Sequence, residues 1–122
     1  TDASQVQNAA FSELSKSTHS GNHDVFGDGS VMILALPGHT PGHSALQVNL
    51  AESGPILLTG DLYHRSESRE LKRVPRFNSD EPQTRESMEL FEALARESGA
   101  RVIIQHEPVD VATLPKSPAF LQ

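Results

Sequence analysis

Three residues stand where an apolar run stops abruptly and a side chain able to hold a metal begins: His39, Asp61 and His106. His39 lies in Pro37-Gly38-His39-Thr40-Pro41-Gly42-His43-Ser44, directly after Val31-Met32-Ile33-Leu34-Ala35-Leu36. Asp61 follows Ile56-Leu57-Leu58-Thr59-Gly60, and His106 follows Val102-Ile103-Ile104-Gln105. Imidazole and carboxylate are the ligand types of a hydrolytic zinc centre. Each residue also has a plainer reading: His39 bonded to its own loop backbone, Asp61 capping a turn after Gly60, His106 carrying little by itself. A carboxylate at the end of a buried strand is costly unless a cation or donor meets it, and that favours the three acting together.

The elements that must position them are legible from pattern. Residues 31–36 are long enough for a buried strand, and Ser44-Ala45-Leu46-Gln47-Val48-Asn49-Leu50 alternates as a second strand would. The two Pro and two Gly between them cannot continue either strand, so the segment is a tight loop at a sheet edge. Asp28-Gly29 signals a turn into the first strand, and Ala51-Glu52-Ser53-Gly54-Pro55 a hairpin turn into a third at 56–59, making 31–59 an antiparallel run. From Asp80 to Ser98 the pattern is helical: Asp80 can cap, Pro82 suits the first turn, Met88, Leu90, Phe91, Leu94 and Ala95 recur at spacings of three and four, and Gly99 suits the position after the helix. Glu81 and Glu86 near its start suit the helix dipole. The helix packs on the sheet and hands the chain to a strand at 101–105. An α/β (α+β) domain follows, with strand ends delivering His39, Asp61 and His106 to one edge, where such folds assemble sites.

The remaining segments carry weaker signals. Residues 3–16 put Val6, Ala10, Phe11 and Leu14 on one narrow helical face with Ser4 as cap, so 1–18 reads as a surface helix or linker. Thr18 to Gly29 is polar and Gly-rich; His19 and His23 there follow no buried strand and read as solvated loop. Between Tyr63 and Glu81 the chain is charged and irregular, its Arg65, Arg69, Lys72, Arg73 and Arg76 pairing with Glu67 and Glu70. The tail 108–122, with Pro115 and Pro118, reads as extended and poorly structured.

His-Thr-Pro-Gly-His, then an apolar strand ending Thr59-Gly60-Asp61, then a strand ending in His106 resembles the second half of a metallo-β-lactamase-fold hydrolase. Asp24-Val25-Phe26-Gly27-Asp28-Gly29-Ser30, Gly60-Asp61-Leu62-Tyr63-His64 and Arg73-Val74-Pro75-Arg76-Phe77-Asn78 narrow the resemblance to the N-acyl homoserine lactonase branch, over residues 19 to 108. It implies half of an αββα sandwich, a mixed sheet with helices on one face. It also implies a centre of two Zn2+ ions in the complete enzyme that activates water for attack on a lactone carbonyl. On this pattern Asp61 bridges the ions, His39 helps bind one and His106 the other. His43, the second His of its motif, is expected behind the ligands rather than among them. Related lactonases carry a Tyr three residues beyond the bridging Asp as a donor to substrate. Here that position is His64 and Tyr63 lies one earlier, so either is a candidate catalytic donor. Val74-Pro75-Arg76-Phe77 is expected to border the substrate cleft.

One part of the family pattern is missing. His-x-His-x-Asp-His, the first metal motif, occurs nowhere in these 122 residues. The implied ligands then number two per ion where catalytic zinc usually has about three. The isolated chain is expected to bind zinc poorly and to have little activity. Thr1 in place of Met suggests that the natural start is missing.

Composition sets the outer bounds. With 36% hydrophobic and 5% aromatic residues the core is modest, and the half-sheet is expected to need its missing N-terminal half or a second copy to cover it. A balance of 10 basic against 16 acidic residues, net −6, disfavours nucleic-acid and anionic-membrane partners. The absence of cysteine fits a reducing compartment, and no apolar run is long enough for a membrane span, so a cytoplasmic location is expected. Two other functions fit the same residues: a hydrolase of another ester or thioester, and a non-catalytic self-associating module.

Overall fold

The structure is a computed structural model that describes Ser15 and residues 17–122. The helix expected over 3–16 therefore lies, Ser15 apart, outside the described residues. Five strands form one mixed sheet in chain order: β1 His23–Asp24, β2 Val31–Ala35, β3 Ser44–Leu50, β4 Gly54–Leu58 and β5 Arg101–Ile103. Strands β1 to β4 are a continuous antiparallel meander, and β5 returns parallel to β4. That return needs a crossover, which α2, Glu81–Ser98, supplies. Two short helices complete the fold, α1 Ser66–Glu70 and α3 Pro108–Ala112.

Helix α2 begins and ends as its residues require. The Asp80 side chain accepts from the Gln83 N–H at 2.9 Å, Pro82 occupies the first turn, and Gly99 takes the left-handed conformation at φ 62° that closes it. Met88, Phe91 and Ala95 bury against Leu34, Leu36, Ala45, Leu57, Leu62 and Tyr63, so the core lies between α2 and one face of the sheet. On the other face the register lines up Ile33, Leu46, Leu58 and Ile103 across four strands, with Val31, Val48 and Ile56 in the next row. Among the described residues no helix is long and apolar enough to cross a membrane.

Three local expectations change. The tail is not wholly extended, because Pro108 opens α3 and the Asp110 carboxylate accepts the Ile104 N–H at 2.9 Å. The charged stretch after Tyr63 contains α1, whose first residue, Ser66, donates its N–H to Glu107 at 3.0 Å. Its arginines do form ion pairs, but Arg69 reaches Glu92 on α2 and Arg65 reaches Glu107, while Arg73 takes Glu67. Finally, His23 belongs to the short edge strand β1 rather than to a loop.

Candidate metal centre

The loop bearing His39 is clamped to the start of α2. The N–H groups of Ser79 and Asp80 donate to the carbonyls of His39 and Gly38 at 3.1 and 2.9 Å, and the Ser87 hydroxyl donates to the Pro37 carbonyl at 2.7 Å. Asp61 sits in a 3₁₀ turn, Gly60–Leu62, directly after β4. His106 follows β5, which lies beside β4, so the parallel pairing brings Asp61 and His106 together although 45 positions separate them.

The carboxylate of Asp61 is the centre of the group. Its Oδ1 accepts a 2.7 Å hydrogen bond from His106 Nε2 and lies 4.0 Å from His64 Nε2, while its Oδ2 lies 3.8 Å from His39 Nε2. Asp61, His64 and His106 each offer a ligand atom within 4.8 Å of the other two. Three imidazoles and a carboxylate, converging with their nitrogens toward one pair of oxygens, match the donor set that a divalent zinc-like ion prefers. The hydrogen bond from His106 holds the Asp61 carboxyl below its ordinary value, against the smaller opposing effect of burial. Burial lowers His64, with the Asp61 charge acting the other way.

Tyr63 and His64 separate cleanly. Tyr63 is 1% exposed and packs edge-on against Phe91 in the core. Its hydroxyl makes no hydrogen bond among the described residues, and burial, followed by the nearby Glu92 carboxylate, raises its pKa. Tyr63 therefore does not face the group, which corrects its candidacy as a donor. His64 does: it stacks on His106 with ring centroids 5.0 Å apart, and the exposed Phe77 stands edge-on beside it at 6.4 Å.

His43 supports Asp61 from behind. Its Nδ1 donates to the Leu36 carbonyl at 2.7 Å and its Nε2 accepts the Asp61 N–H at 2.9 Å, so both nitrogens are engaged by backbone. Gln105 does similar work: its Oε1 accepts from the Gly60 N–H at 3.0 Å and the Thr59 hydroxyl at 3.3 Å. An exposed Gln at a strand end carries no sequence signal for such a role. His43→Ala is expected to cost about 1–3 kcal/mol by stranding the Asp61 N–H. The same change should weaken metal uptake about 10- to 100-fold, as loss of an orienting partner does. Urea unfolding and metal titration of the variant check the two numbers separately.

A deep cleft between α1, α2 and β5 lies elsewhere. It encloses about 800 Å³, is lined by charges of both signs including Arg69, Glu92, Arg96 and Asp110, and includes none of the grouped side chains. His19 and His23 stack on each other at 3.5 Å and also stand outside the group.

The sheet and the helix packed on one of its faces are those of a metallo-β-lactamase fold, in part. Over 98 residues the chain is 33% identical to the N-acyl homoserine lactonase AttM of Azorhizobium caulinodans, and over 103 residues it is 35% identical to that of Rhizobium radiobacter. These matches take in 80% and 84% of this chain but 37% and 39% of the relatives, so the chain spans well under half their length. It superposes on an N-acyl homoserine lactone hydrolase with the product N-hexanoyl-L-homoserine at its catalytic metal centre, with a TM-score of 0.75 and 24% identity over 84% of this chain and 40% of that one. It also superposes on AidC, a dizinc quorum-quenching lactonase, at a TM-score of 0.55 and 19% identity over 66% and 28% of the two chains. No protein-family model matches the chain.

Proposed function

We propose that this chain is the C-terminal part of a zinc-dependent hydrolase that opens the ring of N-acyl homoserine lactones, with His39, Asp61 and His106 among its metal ligands. One observation supports the reading above the others: the two oxygens of Asp61 face different imidazoles, Oδ2 toward His39 and Oδ1 toward His106, as a carboxylate shared between two ions would. Zinc bound there supplies Lewis acidity toward the carbonyl and lowers the pKa of a bound water to about 7.

The chain's own residues do the rest. Asp61, with its carboxyl held low, is ionised at neutral pH as a ligand must be. His43 and Gln105 fix the turn that carries it. Phe77, exposed beside His64, offers an apolar surface to an acyl chain. The ligands that this chain lacks would come from an upstream half.

The test is ring opening of N-hexanoyl homoserine lactone, followed by acid release, with the chain joined to or mixed with an upstream half carrying His-x-His-x-Asp-His. Expected is turnover that a chelator removes and zinc restores. Hydrolysis of thioesters or phosphoesters with none of the lactone would overturn the substrate assignment in favour of another ester.

A further inference from the structure

We propose that this chain by itself holds one divalent transition-metal ion, with His64 as a third protein ligand beside Asp61 and His106. The inference rests on the metal-centre part of the reading above and not on its substrate. Counting only His39, Asp61 and His106 gives two protein ligands to each ion. That count leaves out His64.

Local backbone explains why His64 is available. The 3₁₀ turn ends at Leu62 and Tyr63 is extended, at φ −133° and ψ 135°, so consecutive side chains point to opposite sides. Tyr63 goes into the core, and His64 turns back over Asp61. Its Nε2 is 4.0 Å from Asp61 Oδ1, the same oxygen that His106 Nε2 approaches at 2.7 Å. The two rings stack within 22° of parallel, so two imidazoles address one carboxylate oxygen. Only His106 hydrogen-bonds it; His64 makes no side-chain hydrogen bond among the described residues.

The distances suit an ion. Tetrahedral zinc with bonds of about 2.0–2.1 Å holds its ligand atoms roughly 3.4 Å apart. The two separations from Oδ1, 2.7 and 4.0 Å, straddle that value. Small side-chain rotations seat an ion among the three and replace the His106–Asp61 hydrogen bond by two metal bonds. Three protein ligands with the fourth position open to water is the composition of a catalytic site. Among the described residues the Oδ2 side is poorer, with His39 alone at 3.8 Å. The two halves of the centre are therefore unequal in this chain, and one ion binds rather than two.

Titration of the 122-residue chain with Co2+, read by its visible absorption and by competition with Zn2+, tests this. One ion per chain is expected. His64→Ala should weaken binding by about 100-fold, roughly one ligand's share of a zinc site, and His64→Tyr should weaken it as much, because phenol keeps a donor but not the imidazole ligand. His19→Ala, which stands outside the group, should change affinity less than about threefold. His64→Gln serves as a second variant should circular dichroism show the alanine chain unfolded. Wild-type affinity in the His64 variants, two ions per chain, or no uptake by the parent chain at millimolar Co2+ would each overturn the proposal. Uptake through His64 without lactone opening by the joined halves would instead sink the substrate reading alone.

Discussion

Asp61→Asn is expected to leave the chain folded and to remove its metal uptake. The amide keeps the shape of the carboxylate but loses the charge that balances a cation, and it offers a poor ligand to both sides of the centre at once. Affinity for Co2+ should fall by about three orders of magnitude, about 4 kcal/mol. Stability without metal should change by less than about 1 kcal/mol, because the Asp61 side chain is 45% and His106 54% exposed and such pairs are well screened. The sign with pH is fixed by the lowered Asp61 carboxyl. Its contribution is present above the unfolded carboxylate's pKa of about 4 and is lost as the pH falls through the lower folded value. Urea unfolding in chelator, beside the cobalt titration, reads the two quantities apart. An Asp61→Asn chain that binds cobalt within tenfold of the parent would refute a centre built on this carboxylate.

Gly38→Ala is expected to be the most destabilising single methyl addition in the histidine loop. Gly38 sits at φ 134°, a region that L side chains rarely adopt, and a Cβ there would meet Thr84 Oγ1, N and Cα at 2.3, 2.4 and 2.6 Å. Two of those atoms are helix backbone and cannot swing away. Strain and overpacking together should cost about 3–5 kcal/mol, a large part of the 5–15 kcal/mol that holds a typical domain. The alternative to unfolding is to lift the loop from α2, which breaks the Asp80 N–H bond to the Gly38 carbonyl and carries His39 away from Asp61. Gly42→Ala, in the same loop with nothing within 4 Å of its Cβ, is the control and should stay within about 0.5 kcal/mol. Equal urea midpoints for the two variants would show that the close approach to Thr84 does not constrain the loop.

What sequence could show here depended on whether the cause of a structure was local. The strands around the histidine loop and the helix from Glu81 carry their stops and caps within a few residues, and both appear where pattern places them. The approach of His39, Asp61 and His106 was readable because each follows a strand of the same sheet. Helix α1 was not, since the acceptor for its first N–H is Glu107, 41 positions away. Helix α3 had a usable signal in Pro108 at its first turn, outweighed by the prolines further along the tail. Tyr63 and His64 are adjacent and both able to donate; only the extended backbone after the turn decides which reaches Asp61.

The parallel pairing of β4 with β5 also bears on the order in which the molecule assembles. The meander β1 to β4 closes through short connections, whereas Asp61 and His106 meet only after a separation of 45 positions and the docking of α2. Long-range pairing bears the loop-closure entropy before its contacts reward it, so it comes late along the folding route. The cation-binding geometry is thus expected among the final features to form, after the hairpins of the meander.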